Sequence, residues 1–199
     1  STPNNTGMIS IEGRVQTNGS NGRGGTITVS DTQSILVQNA TLQADGTDGG
    51  QITLTSYTGD INIQNSLIQT NGSTGRGGSI GISGANSTTL VASTVNAQGW
   101  SQGGTILLGN DAQHGTLPFS LYVSLDSASN ISAQGMQGGY VETSGRSLSI
   151  ANNPIIGDGG IWLIDPTTIN LVSGNTSAYT TNGCGSTSNT LTGCSSNTT

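Results

Sequence analysis

The sequence contains no lysine, and only 7% of its 199 residues are charged. The basic residues are four scattered arginines, at Arg14, Arg23, Arg76 and Arg146. Binding nucleic acid through its phosphates requires several cations on one face, so we expect no nucleic-acid partner. No apolar run approaches the roughly 18 residues that span a bilayer. The segment 1–10 lacks the charged and apolar regions of a signal peptide, so we expect either a mature form or an excised segment.

Aromatic residues and helix-forming patterns are also scarce. Aromatic residues make up 4% of the chain, and 32 residues are glycine. The Ile, Val, Leu and Thr residues alternate with polar residues and do not recur at helical spacing. Disordered chains of similar polarity usually carry more charge and lack such alternation. We therefore predict an all-β chain stabilised by backbone hydrogen bonds and stacked aliphatic side chains.

A Gly-Gly pair recurs along the sequence, and an apolar strand follows each copy. Successive pairs begin 25, 28, 26, 35 and 21 residues apart. The six pairs begin at Gly24, Gly49, Gly77, Gly103, Gly138 and Gly159. Repeats of roughly 20 to 50 residues are typical of solenoids, in which each unit buries its apolar face against the next. The chain is thus predicted to be a stiff rod.

One repeat, from Gly24 to Gly49, can be divided into three short strands. The strands are predicted over 26–30, 35–37 and 41–44, with turns between them that include Asn39-Ala40. At the closing corner, Gly46 is expected to supply the positive φ of a tight turn. Three short strands per coil of about 25 residues predict a right-handed parallel β-helix, a solenoid of roughly seven coils and about 35 Å.

The longest interval, between Gly103 and Gly138, contains an irregular insertion over 110–130. Insertions in solenoids form loops on one face, so this segment is the best candidate for a local binding feature. The simpler interpretation, which we favour, is an irregular corner in which Phe119 and Tyr122 pack against the rod. The coils are predicted over residues 1–172 and a Gly/Ser/Thr/Asn-rich tail, a cap or anchor, over 173–199.

The carboxylates of the chain are thinly spread and lie mostly beside glycine. Asp45, Asp48 and Asp158 are of this kind and are interpreted as turn residues. Glycoside hydrolysis requires two carboxylates that converge on one face, and oxygen-rich corners could coordinate calcium, but the calcium-binding nonapeptide repeat is missing. We expect no enzyme activity, no metal and no cofactor; a carbohydrate-active β-helix is a minor alternative.

Two cysteines, Cys184 and Cys194, lie in the polar tail with nine residues between them. A zinc site would need four ligands, and the single histidine, His114, is distant in the sequence. We therefore favour a disulfide formed in an oxidising compartment, with two free thiols as the alternative.

A motif near the end of the coils resembles a known family. It begins Gly138-Gly139-Tyr140-Val141-Glu142-Thr143-Ser144-Gly145, continues with Leu148-Ser149-Ile150 and ends Trp162-Leu163-Ile164-Asp165-Pro166. This stretch, within 138–172, resembles the filamentous-haemagglutinin-like exoproteins of two-partner secretion, especially their high-molecular-weight adhesin branch. In such a coil we expect Glu142 to be paired or half exposed, Trp162 to fill a widened core position and Asp165-Pro166 to end a strand.

The resemblance implies a secreted β-helical exoprotein from a Gram-negative-type cell. Such a protein passes through an outer-membrane barrel translocator and is displayed at the extracellular cell surface, where its partners are host or neighbouring-cell surfaces or matrix. In some adhesins of this family a C-terminal disulfide loop tethers the protein to the translocator, a role that Cys184 and Cys194 would then have. We predict the shaft of an adhesin, with a subunit of a filament assembled end to end as the alternative.

Overall fold

The computed structural model describes residues 7–167 and the strand residues 185–187 and 190–192. The chain divides into two compact units, Ser1–Thr167 and Thr168–Thr199. In the second unit β16 (Gly185–Thr187) pairs antiparallel with β17 (Thr190–Thr192). The described residues contain no helix, and consequently none long and apolar enough to cross a membrane. The predicted domain boundary between residues 172 and 173 lies outside the described residues.

The first unit consists of three columns of parallel strands. The first column is a six-stranded sheet of β2 (Thr26–Asp31), β4 (Gln51–Ser56), β7 (Ser79–Gly84), β10 (Thr105–Leu108), β13 (Tyr140–Gly145) and β15 (Ile161–Pro166). The second column contains β5 (Asp60–Gln64), β8 (Ser87–Val91), β11 (Tyr122–Leu125) and β14 (Ser147–Ile150). The third contains β6 (Leu67–Gln69), β9 (Thr94–Asn96) and β12 (Asn130–Ser132). The long strand β3 (Ser34–Gln43) belongs to both of these columns and joins them into one sheet, on which β1 (Met8–Gln16) also pairs.

The strand register reproduces the spacing of the Gly-Gly pairs. In the first column the stacked core positions are Ile27, Ile52, Ile80, Ile106, Val141 and Trp162. Their intervals are the same 25, 28, 26, 35 and 21 residues that separate the glycine pairs. The structure therefore confirms the predicted all-β parallel solenoid with three strands per coil. It has six turns in this column, where roughly seven were predicted, and β1 adds a partial coil.

Aliphatic side chains fill the interior in continuous stacks. Along the second column Val37, Ile63, Leu90 and Leu125 lie in register, and all four are buried. Every strand alternates between an inward and an outward side chain, so each inward position contributes one side chain per coil to a single stack along the solenoid. The buried core is therefore a set of aliphatic ladders, as the composition predicted, and Trp162 is partly buried against it in the last coil.

The bend between the second and third columns differs from the predicted turn. Asn39 does not interrupt β3; it lies within the strand at φ 48°. Asn65 and Ala92 occupy the same place in the next two coils, with φ values of 48° and 47°. A single residue in the left-handed region turns the chain, and it costs little for asparagine. Strand pairing continues on both sides of the bend.

A buried serine follows the bend in successive coils. The Oγ of Ser66 accepts a hydrogen bond from the Ala40 amide at 3.1 Å, that of Ser93 accepts one from the Ser66 amide at 3.2 Å, and that of Ser129 accepts one from the Ser93 amide at 3.0 Å. Unpaired buried amides are costly. The serine ladder thus satisfies backbone groups that the bend takes out of the sheet.

The glycines at the closing corner are required for a reason other than the predicted one. Gly46 does not have a positive φ; a Cβ added there would overlap the Gly22 carbonyl oxygen and the Gly24 amide nitrogen of the preceding coil. The first glycine of the other pairs behaves in the same way, since a Cβ on Gly24 would lie 2.8 Å from the Gly50 amide nitrogen; the pair at Gly159 is the exception, with φ 70° and no atom within 4 Å of an added Cβ. Backbones of adjacent coils meet at these corners, and only glycine leaves enough space.

Candidate functional site

The insertion crosses the outer face of the first strand column. Leu117 is only 8% exposed, and it lies over Gly81 on β7, where an added Cβ would be 3.3 Å from the Leu117 Cδ1. Phe119 and Tyr122 are 41% and 42% exposed, so the prediction that these two pack against the rod is wrong. The space above a glycine accommodates one aliphatic side chain, which Leu117 supplies.

The insertion returns to the solenoid through a buried hydroxyl network. Ser120 Oγ donates to the carbonyl oxygen of Gly84 at 2.6 Å and lies 2.9 Å from Thr88 Oγ1. Thr88 Oγ1 in turn accepts the Gly84 amide at 2.9 Å, and Ser83 Oγ donates to the carbonyl oxygen of Pro118 at 2.5 Å. All three hydroxyl residues are buried. The end of the insertion is therefore held firmly on β7 and β8.

Glu142, a residue of the family-like motif, holds the beginning of the insertion. Its side chain is fully buried. Oε1 accepts hydrogen bonds from the Ala112 amide at 2.8 Å and from Ser144 Oγ at 2.6 Å, and Oε2 accepts one from the Tyr140 hydroxyl at 3.2 Å. A buried carboxylate is tolerated only with such partners. The structure thus joins two features that the sequence treated separately, the motif and the insertion.

Asp111 organises the tight turn beside this contact. Its carboxylate accepts hydrogen bonds from the His114 amide at 3.0 Å and from Thr116 Oγ1 at 2.5 Å, and His114 Nδ1 lies 3.2 Å away. Burial opposes ionisation of Asp111, but these hydrogen bonds, led by that of Thr116, outweigh it and lower the pKa of the carboxyl below its usual value. Asp111 is therefore ionised and serves as a turn acceptor.

Tyr140 connects the same two segments at the surface. Its hydroxyl accepts a hydrogen bond from Gln113 Nε2 at 3.3 Å and donates to Glu142. Burial, the negative charge and hydrogen bond of Glu142, and the more distant Asp111 and Asp165 raise the pKa of Tyr140 to about 12. The polar groups of this cluster are engaged with one another, so the arrangement fastens the insertion to β13.

The other motif residues form the corner and the strand that follow. Gly138 and Gly139 lie at a close approach of coils, where a Cβ on Gly138 would be 2.6 Å from the Gly160 Cα. On β15 Trp162 packs against the core, and its Nε1 donates to Thr143 Oγ1 at 3.0 Å. The strand continues through Leu163, Ile164 and Asp165 and ends at Pro166, in register with β13.

The corner carboxylates pair neighbouring coils. Asp45 accepts the Asn71 amide at 2.6 Å and the side-chain amides of Gln43 and Gln69, and Asp48 Oδ1 accepts the Arg76 amide at 2.8 Å. Within the part of the chain that the structure describes, no group of three or more His, Cys, Asp or Glu residues could hold a metal ion. Cys184 and Cys194 lie outside the described residues, as does their predicted pairing.

A second surface feature was missed from the sequence. Trp100 is 67% exposed and Met136 is 74% exposed, and the two follow the same corner glycine in adjacent coils, with the Met136 amide bonded to the Trp100 carbonyl at 3.2 Å. Aligning the corners would have revealed them, because Ser20, Thr47 and Ser73 occupy this position in the earlier coils. This position thus holds a small hydroxyl residue in three coils and a large apolar residue in the next two.

A comparison of the chain with family models, curated proteins and solved structures found no match in any of the three.

Proposed function

We propose that this chain is the structural shaft of a secreted, surface-displayed exoprotein that mediates attachment or display. The observation that carries the proposal is the uninterrupted stacking of six coils on an aliphatic core. In a solenoid each coil contacts only its neighbours, so a stiff rod is lengthened simply by adding coils. These are the properties that a shaft between a cell and a target needs.

The family-like motif supports the extracellular part of the proposal. The stretch from Gly138 to Pro166 resembles two-partner-secretion exoproteins, and its Glu142 fastens an irregular loop to an otherwise regular rod. A chain with so few charges and no lysine also has little to attract nucleic acid or other anionic polymers. Cys184 and Cys194 would form the loop that tethers the chain to its outer-membrane barrel translocator.

Surface labelling of the source cells tests the proposal. Antibodies raised against residues 7–167 should label intact cells, and deletion of the translocator gene should abolish the labelling and retain the antigen inside. Deletion of the gene for this chain should reduce attachment to host cells, neighbouring cells or matrix, and the intact gene should restore it. Antigen confined to the cytosol in every strain would contradict export, and unchanged attachment would contradict the adhesive role.

A filament subunit is the second candidate, because coils that stack by parallel pairing within one chain can stack in the same way between chains. Among the described residues β1 pairs on one side only, with β3. An unpaired strand edge is a template for another chain. Electron microscopy of native material should then show fibres that repeat every rod length. Dissolution of the fibres by reductant would assign a joining role to Cys184 and Cys194, and short single rods would contradict filament assembly.

A further inference from the structure

At one corner of the solenoid, two positions carry different residue types in the earlier and the later coils. In the earlier coils the residue before the corner glycine is short and binds the next coil: Asn18 Oδ1 accepts the Asp45 amide at 2.9 Å, and Asn71 Oδ1 accepts the Gln98 amide at 2.9 Å. In the last two coils that have this corner, the residue before the glycine is the longer amide Gln98 or Gln134. Trp100 and Met136 appear in the same two coils.

The longer amide side chains do not bind the backbone of the next coil as the shorter ones do. Gln98 Nε2 donates to Ser132 Oγ at 2.9 Å, which leaves its carbonyl oxygen as an acceptor, and Gln134 is exposed. Corner amides spaced one coil apart recur at about 4.8 Å along the rod. The corner therefore presents a short row of hydrogen-bonding groups beside Trp100 and Met136.

The surface between these residues is a shallow depression without charge. It has a volume of about 550 Å³ and is lined by three amides, one serine, three glycines, Trp100 and Met136. An acidic or basic polymer would gain no ion pair there. A protein partner would need about 800 Å² of well-packed surface on each side, far more than two apolar side chains supply. The lining suits a ligand that is neutral and has both an apolar face and many hydroxyl groups.

We propose that this corner binds a neutral polysaccharide chain. The apolar face of one sugar ring stacks on the Trp100 indole and contacts Met136, and the ring hydroxyls bond to the amides of Asn71, Gln98 and Gln134. An exposed Trp offers a large rigid contact area with little entropy to lose. The inference deepens the proposed function by giving the shaft a ligand class, and it rests on that function only for its biological setting.

Calorimetry on the purified full chain tests the proposal with defined probes. Neutral hexasaccharides of glucose, mannose and N-acetylglucosamine are compared with an acidic heparin hexasaccharide. At least one neutral probe should bind, and Trp100→Ala should weaken it about tenfold, whereas Trp100→Phe should retain most of the affinity. Tyr57→Ala is the matched control, because Tyr57 is another exposed aromatic residue, 58% exposed, outside this corner. The affinity of this variant for the neutral probe should equal that of the wild type.

Several results would overturn the proposal. These are no binding of any neutral probe, binding of heparin alone, or equal affinities for wild type and Trp100→Ala. Self-association that disappears in Trp100→Ala would instead identify a second copy of this chain as the occupant. Urea unfolding of each variant shows whether the coils are intact, which is expected because Trp100 is largely exposed. Binding in solution does not depend on where cells place the protein, so this outcome and that of surface labelling are separable.

Discussion

Adding one methyl group at a Gly-Gly corner should separate the coils. At Gly103 a Cβ would overlap the carbonyl oxygen of Ala133 and would lie 2.7 Å from the amide nitrogen of Gly139. Both neighbours are backbone atoms of the next coil, so no side chain can rotate away. Overpacking typically costs 1–3 kcal/mol, and we expect Gly103→Ala to lie at the upper end, about 3 kcal/mol. That is a large part of the roughly 5–15 kcal/mol that stabilises a domain.

Gly22→Ala is the matched control. A Cβ at Gly22 has no atom within 4 Å, and its backbone φ is not in the left-handed region. Replacement there should leave the folded state undisturbed and stabilise the protein by roughly 0.4–1 kcal/mol, since alanine has less freedom than glycine in the unfolded chain. The two variants have the same chemistry and differ only in what surrounds the added carbon.

Urea unfolding followed by far-UV circular dichroism measures both changes. With m near 2–3 kcal/mol/M, the midpoint for Gly103→Ala should fall by about 1 M, and that for Gly22→Ala should rise slightly. If both variants unfold at the wild-type midpoint, the close approach of coils at the Gly-Gly pairs does not exist and the argument from register fails. A lower m for Gly103→Ala alone would indicate that the coils on either side unfold separately.

Three further predictions concern the insertion. Glu142→Ala removes the acceptor of the Ala112 amide and should cost about 3 kcal/mol and expose 110–116 to proteases, whereas Arg146→Ala, outside the cluster, should do neither. The pKa of Tyr140 is about 12 in the folded protein and near 10 in the unfolded chain. Its contribution to stability is therefore present below about pH 10 and is lost as pH rises towards 12. Ultraviolet titration should detect one late-ionising phenol, which Tyr140→Phe removes. The lowered pKa of Asp111 gives stability that is lost as pH falls through the folded pKa, and Asp111→Asn should flatten the acid limb of the unfolding curve.

The repeat could be predicted from the sequence because its cause is itself periodic. In each coil the inward residue, such as Ile52 or Ile80, follows the first glycine of a pair by three residues, so the interval between successive glycine pairs equals the interval between residues that pair in register. The bend at Asn39 was placed correctly but interpreted as a turn, since a pattern of polarity does not reveal a single left-handed residue within a strand. The reason for Gly46 was likewise hidden, because close approach involves two coils and a sequence displays one.

The insertion could not be predicted in the same way because nothing in it repeats. Large aromatic residues suggested Phe119 and Tyr122 as the packing contacts, but Gly81, distant in sequence, determines that Leu117 packs there. The burial of Glu142 depends on the Ala112 amide, which no spacing rule connects to it. Sequence reasoning succeeded for the strand register, which repeats from coil to coil, and failed for the contacts of the insertion, which do not repeat.

Parallel in-register stacking also determines how the rod responds to tension. The strands run across the axis, so a force applied along the axis loads the hydrogen bonds between two coils and can break one interface at a time. A released coil of about 26 residues extends by roughly 90 Å, many times its folded rise of about 4.8 Å. Under load the solenoid would therefore lengthen in steps at its weakest interface, and the remaining coils would keep their structure, as in an extensible tether that dissipates sudden strain.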